Sequence, residues 1–271
     1  MTIKVLVVDD SIFYRKIVSD ILSSLSDVEV VGTANNGKVA ISRIKSLKPD
    51  LLTLDVEMPE MNGLEVLEEI QKQNYDTECL MISSLTKKGG EIAVQALSLG
   101  ALDVITKPEE ESSEENIQKL KKEIEPKLRA FVRRRELKAI QSGQAPPQKS
   151  LLKPKEVAEY RERSSRSEFL QKRKEKSKVV AIGVSTGGPK ALAMLVPQLP
   201  KSLNVPVFIV QHMPPVFTAS LAKSLDAEST LEVKEAANGE EVRANCVYIA
   251  PGGYQMKIAS GARGREKIVR I

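Results

Sequence analysis

Residues Ile3–Val8 form a mainly apolar run that stops at Asp9-Asp10, and a helical pattern through Ile12, Ile17, Val18, Ile21 and Leu22 follows at once. When strand and helix alternate in this way, each helix returns the chain to the end where its strand began. The strands must then be parallel and the crossovers right-handed. The unit recurs. Leu51–Leu54 ends in Asp55, Leu80-Met81-Ile82 leads to Ser83, and Asp103-Val104-Ile105-Thr106 leads to Lys107-Pro108. All these strand ends lie along one edge, so Asp9, Asp10, Asp55, Ser83 and Lys107 are expected to meet.

Converging carboxylates repel one another unless a cation sits among them, and oxygen ligands with room for water suit Mg²⁺. A hydroxyl and an ammonium flank the acids. An aspartate nucleophile, a divalent cation and a lysine are the parts that phosphoryl transfer to a carboxylate requires. Any one of these residues alone is more often a helix cap or a solvated loop acid. The set of five at successive strand ends is hard to produce by accident.

Residues 1–125 resemble the receiver domain of two-component response regulators, and Asp55 with Val56-Glu57-Met58-Pro59-Glu60-Met61-Asn62-Gly63 is similar to its phosphoacceptor segment. The resemblance implies a flavodoxin-like, five-stranded parallel sheet and transfer of a phosphoryl group from a histidine kinase to Asp55. It implies that Asp10, Asp55 and the backbone carbonyl of Glu57 hold Mg²⁺, with Asp9 supporting them through water. Ser83 and Lys107 would contact the phosphoryl oxygens and pass the signal on. Val104 stands where that family has its switch aromatic, so the expected signal is displacement of Ser83 and its loop.

Glu114 to about Leu137 reads as a closing helix, with Ile117, Leu120, Ile124, Leu128 and Phe131 or Val132 at helical spacing and Pro126 interrupting it. Ser142–Gln148 is a breaker cluster, and 153–178 is rich in Lys, Arg, Glu and Ser. That segment reads as a charged, partly helical linker. A basic arm for an acidic partner or nucleic acid is the alternative, but no helix-turn-helix or interleaved aromatic pattern supports it. The net charge of +5 is concentrated here and describes the linker more than a surface. The expected division is 1–125 for the first domain, 126–177 for closing helix and linker, and 178–271 for a second domain.

The second domain opens on Val179-Val180-Ala181-Ile182-Gly183-Val184-Ser185-Thr186-Gly187-Gly188-Pro189. The apolar run predicts a strand buried on both faces. Gly183, Gly187 and Gly188 let the backbone turn, and Pro189 suits the first turn of a helix. Ser185 therefore sits on a strand-turn-helix corner that matches the G-x-S-x-G nucleophile pattern. A phosphate-cradling glycine loop or a plain tight turn would use similar residues, though neither G-x-G-x-x-G nor G-x-x-x-x-G-K-[ST] is present. A helix over 190–199 and a strand over 205–210 lead to Gln211-His212-Met213-Pro214. His212 is the only histidine. It stands one βα unit after Ser185, and a serine needs a neighbouring imidazole to lose its proton at neutral pH.

These segments, with Phe217-Thr218 and Val247-Tyr248-Ile249-Ala250-Pro251-Gly252-Gly253, resemble the catalytic domain of the chemotaxis protein-glutamate methylesterase family. The resemblance implies a doubly wound, Rossmann-like esterase domain that hydrolyses glutamyl methyl esters on chemoreceptors, with glutamine deamidation beside it and no cofactor. Ser185 would be the nucleophile, His212 the general base and acid, and the Thr186 backbone N–H an oxyanion donor. The receiver would cover this site until Asp55 is phosphorylated. Pro215-Val216 before Phe217, and Gln255 where the family often has histidine, depart from its pattern.

That family completes its triad with an aspartate in a Gly-Met-Gly-x-Asp-Gly stretch, which has no counterpart before Ile271. Asp226, the only aspartate after Ser185, is predicted at a helix end and is not expected to substitute. Lys267–Ile271 reads as a strand whose neighbours are missing. The expectation is therefore a truncated domain, either a fragment of a longer enzyme or a naturally shortened protein. A non-catalytic response regulator that accepts phosphate or binds receptors is the rival reading, and a transcription factor the weaker third. No apolar run approaches the ~20 residues of a membrane span, and Met1–Val5 does not resemble a signal peptide. A cytoplasmic protein without membrane insertion or nucleic-acid partner is expected, with Cys79 and Cys246 reduced in the cores.

Overall fold

The computed structural model describes residues 2–84, 87–108, 114–141, 177–261 and 267–271. The breaker cluster and most of the basic segment lie outside them. The first domain is a parallel sheet in the order β2-β1-β3-β4-β5, formed by β1 (Ile3–Val8), β2 (Val28–Ala34), β3 (Leu51–Asp55), β4 (Glu78–Ser84) and β5 (Asp103–Lys107). Its helices are α1 (Ile12–Ser23), α2 (Gly37–Leu47), α3 (Gly63–Lys72), α4 (Lys87–Ser98) and α5 (Glu114–Gln141).

Local chemistry sets where these helices start. Ser11 and Asn36 accept from the Tyr14 and Val39 backbone N–H groups, and Asn62 forms a reciprocal capping box with Glu65. Strand alternation then sorts the core into two faces. Val5, Val7, Leu51, Leu80 and Ile105 pack on Val18 and Leu22 of α1 and on Leu120, Ile124, Leu128 and Phe131 of α5. Leu6, Val8, Leu52, Leu54, Met81 and Val104 pack on α2, α3 and α4. The closing helix runs through Pro126 and ends at Gln141, beyond the expected Leu137, with Ile140 buried near its end.

The second domain has β6 (Val180–Val184), α6 (Gly188–Leu195), a 3₁₀ turn (Val196–Gln198), β7 (Val207–Gln211), α7 (Pro215–Glu228), β8 (Glu232–Glu235) and β9 (Cys246–Ile249). The strands are parallel in the order β6-β7-β9-β8. A hairpin of β10 (Lys257–Ser260) and β11 (Lys267–Arg270) follows.

Three sequence expectations are corrected here. Strand β6 is not buried on both faces: Val180, Ile182 and Val184 are half-buried, whereas Ala181 and Gly183 are exposed. The reason is that α6 and α7 share one apolar cluster with Val207, Ile209, Val247 and Ile249, so both helices cover the same face. On the other face the hairpin brings Val269 to Tyr248 and Cys246, while Val210 remains 54% exposed. Gly183 lies inside β6, and the turn falls to the two later glycines. Lys267–Arg270 also has neighbours, pairing with β10 and bridging from Ile268 to Glu241.

The two domains meet through α4. Its buried Ala93, Val94, Ala96 and Leu97 join the cluster that holds Leu192, Phe217, Leu221, Ala222 and Leu225, and α4 packs on both α6 and α7. The Ser98 and Ser224 hydroxyls lie 3.0 Å apart across this seam. Both cysteines are buried and free. Among the described residues no helix is long and apolar enough to cross a membrane.

Candidate functional site

The acidic site forms where the parallel strands of the first sheet end. Asp9 and Asp10 follow β1, Asp55 ends β3, and each offers a carboxylate oxygen within 4.8 Å of the others. Lys107, the last residue of β5, places Nζ 2.8 Å from Asp55 Oδ2 and 2.9 Å from Asp9 Oδ2. Ser83 is fully buried on β4, in register with Thr106 of β5. Glu57 is exposed two residues after Asp55. The edge predicted from the strand pattern is therefore the edge observed.

Burial raises the Asp55 carboxyl to about 6 against the pull of Lys107, and it raises Asp9 as well. One ammonium against three carboxylates leaves excess negative charge in a partly dry pocket. Hard oxygen donors with excess negative charge fit a divalent cation such as Mg²⁺.

Sequence reasoning missed Tyr14 and Arg15. Tyr14 donates its hydroxyl to the Pro108 carbonyl at 2.9 Å, and its ring carries the Lys107 ammonium 4.7 Å from the centroid. Arg15 donates to the carbonyls of Asp9 and Asp10 at 2.7 and 2.9 Å. Their position in the first turn of the helix after Asp9-Asp10 was the available signal.

The second site forms at the corresponding edge of the second sheet. Val184 and Gln211 are paired in the β6–β7 ladder, so Ser185 and His212, the residues that follow them, leave adjacent strands. Both are exposed and line one cavity with Gly183, Gln211, Met213 and the 250–254 turn. Gln211 is a second residue that sequence reasoning passed over. Its buried amide donates to the carbonyls of Ser185 (3.2 Å) and His212 (3.1 Å), bracing both backbones.

The turn after Ser185 depends on two glycines. Gly187 has φ 75°, and a Cβ on Gly188 would meet Gln211 Oε1 at 2.0 Å. Thr218 fixes the other wall. Its hydroxyl accepts from the Gly252 N–H at 3.1 Å and donates to Glu235 at 2.5 Å. Asp226, near the far end of α7 from His212, accepts from the Val233 N–H at 2.7 Å. It is engaged in local structure, as its position at a helix end suggested.

Between the domains lies a cavity of about 500 Å³. Val104, Lys122, Glu123, Pro126 and Lys127 line it from the first domain, and Ser185, Thr186 and His212 from the second. The serine and histidine thus face the first domain across a shared cleft.

An acidic phosphoacceptor-type pocket and a serine–histidine edge in one chain define a response regulator joined to a hydrolase. The response regulator receiver domain model matches residues 5–119, and the CheB methylesterase model matches residues 180–270. The protein-glutamate methylesterase/protein-glutamine glutaminase of Desulfotalea psychrophila is 44% identical over 99% of this chain and 72% of its own length. The Bacillus subtilis protein of the same name is 41% identical over 98% and 72%. The receiver domain of Thermotoga maritima CheB shares 43% identity over 48% of this chain and 96% of that one, with a TM-score of 0.44. The chain belongs to the CheB protein-glutamate methylesterase/protein-glutamine glutaminase family.

Proposed function

We propose that this chain removes methyl esters from glutamate side chains of chemoreceptors and deamidates receptor glutamines, under control of phosphorylation at Asp55 by a histidine kinase. The observation that carries the reading is the β6–β7 register, which puts Ser185 and His212 on neighbouring strand ends with Gln211 bracing both. In this reading Ser185 Oγ attacks the ester carbonyl while His212 takes its proton. The Thr186 N–H, at the entry to α6, stabilises the oxyanion. Methanol leaves with the proton from His212. Water activated by His212 then releases the glutamate, and with a glutamine substrate ammonia leaves in place of methanol.

Asp10, Asp55 and the Glu57 carbonyl would hold Mg²⁺, with Asp9 supporting them. Charge neutralisation of the incoming phosphoryl group is the chemistry that Mg²⁺ supplies when bound. Ser83 and Lys107 then contact the phosphoryl oxygens. Residues 1–125, together with the rest of α5 to Gln141, form the regulatory unit, the segment up to 177 connects, and 178–271 carry the hydrolase.

Methanol release from methylated chemoreceptors tests this reading. It is expected with Mg²⁺ and acetyl phosphate, and is lost in Ser185→Ala and His212→Gln. No release from the unmodified chain under those conditions would contradict it and leave a non-catalytic phosphoacceptor.

A further inference from the structure

Tyr14 opens the buried stripe of α1 that Val18, Ile21 and Leu22 continue, and filling the core would be the ordinary role of such a residue. The packing does not fit that role alone. Among the described residues, the apolar cluster under α1 and α5 takes Val18, Ile21 and Leu22 but not Tyr14, although Tyr14 is only 6% exposed. Its ring lies against the Lys107 ammonium, with Phe13 meeting it edge-on at 5.6 Å. A phenylalanine would fill the same space, yet the hydroxyl reaches 94 residues along the chain to the Pro108 carbonyl.

An ammonium is a point charge on a flexible stem, and carboxylates alone leave it free to slide between them. Here Asp9 and Asp55 take it at 2.9 and 2.8 Å, and the ring face closes a third side at 4.7 Å. The bond to Pro108 fastens that ring to the backbone of the residue after Lys107. Tyr14 is tied to the acids as well. Its backbone N–H is capped by the Ser11 hydroxyl at 3.4 Å, and the Ser11 N–H donates to Asp9 Oδ1 at 2.9 Å. Acid, cap, ring and ammonium thus form one closed circuit.

With acetyl phosphate as donor, an Asp55 carboxylate oxygen bonds to phosphorus while the donor's P–O bond breaks and its electron pair leaves with acetate. The negative charge of the phosphoryl group then arrives where Lys107 stands, and a cation fixed there beforehand lowers the barrier without reorganising. We propose that Tyr14 is a positioning residue for this transfer: its ring and hydroxyl together hold Lys107 Nζ where it meets the incoming phosphoryl oxygens. This rests on Asp55 being the phosphoacceptor.

The test follows the phosphoryl mass gained by the peptide containing Asp55 when the intact chain is given Mg²⁺ and acetyl phosphate. Tyr14→Leu, which removes ring and hydroxyl, should slow phosphorylation about tenfold, the scale of a desolvated cation–π contact. Tyr14→Phe keeps the ring and should stay within about threefold of wild type. In Lys107→Met, where the group to be positioned is gone, Tyr14→Leu should change the rate less than about twofold. An equal loss in both backgrounds, or no loss in either, would overturn the proposal. A second measurement needs no phosphodonor. The Lys107 ε-methylene proton resonance, assigned by its loss in Lys107→Met, should be shifted upfield by the ring in wild type and Tyr14→Phe, and lie among the other lysines in Tyr14→Leu. An unshifted resonance in the wild type would likewise overturn the proposal. If the wild type gains no phosphoryl group, the phosphoacceptor reading fails, and the methylene resonance still decides whether Tyr14 holds Lys107.

Discussion

The backbone N–H of Gly187 donates to the carbonyl of Leu102 at 3.0 Å, joining the turn after Ser185 to the residue before β5 of the other domain. The Leu102 N–H in turn donates to the Cys79 carbonyl of β4 at 2.7 Å. The hydrolase corner is thus stitched to the sheet whose far strand ends carry Asp55 and Lys107. Withdrawal of the receiver must break the Gly187–Leu102 bond. Amide exchange at Gly187 should therefore be slow at rest and accelerate at least about tenfold with Mg²⁺ and beryllofluoride. Equal exchange in both states would mean that the seam does not open.

The Ser98–Ser224 contact offers a way to part the domains without entering either core. Ser98 is exposed on α4 and Ser224 half-buried on α7. Ser98→Arg places a long cation against this seam. It should cost less than about 1 kcal/mol in urea unfolding, as surface changes do. It should also raise resting methanol release about tenfold and enlarge the radius of gyration in solution scattering.

Burial holds the Asp55 carboxyl at about 6, above its ordinary 3.8. Between about pH 4 and pH 6 the folded, metal-free protein keeps a proton that the unfolded chain has released, so stability falls as pH rises through that window. Below it both states are protonated, and above it both are ionised. The difference amounts to roughly 3 kcal/mol. In EDTA at pH 7.5, Asp55→Asn should be more stable than wild type by about 1–3 kcal/mol, and the gain should vanish near pH 4. Adding Mg²⁺ should stabilise the wild type and leave the variant unmoved.

Gln211 holds the Ser185 and His212 corners together, and Gly188 leaves room for its side chain. Gln211→Leu removes both amide hydrogen bonds and leaves two carbonyls without that donor, a loss of about 1–3 kcal/mol by denaturant titration. Gly188→Ala forces the glutamine aside at a similar cost of about 1–3 kcal/mol. Both should lower the phosphorylated rate of methanol release at least about 100-fold through misplacement of Ser185 and His212.

Much of this was legible before any coordinates. Apolar runs that stop at Asp9-Asp10, Asp55, Ser83 and Lys107 announce parallel strands with their chemistry on one edge, because strand pitch and crossover hand leave few other arrangements. Ser185 and His212 were readable for the same reason. Gln211, Tyr14 and Arg15 were not, because their roles come from contacts with atoms distant along the chain or with the backbone. A buried glutamine that bonds two distant carbonyls has no periodic signature. The open face of β6 escaped notice because Val-Val-Ala-Ile reads alike whether helices cover one face or both. The pairing of β11 was missed because its partner β10 carries little strand signal of its own.

The central claim is that phosphorylation at Asp55 controls access to a reactive Ser185. It is tested most directly by labelling the intact chain with an alkyl fluorophosphonate and following the mass of the peptide that contains Ser185. With Mg²⁺ and acetyl phosphate the labelling rate should rise about tenfold or more, with no rise in Asp55→Asn and no label in Ser185→Ala. Labelling at the same rate with and without the phosphodonor, or label on a residue other than Ser185, would contradict it.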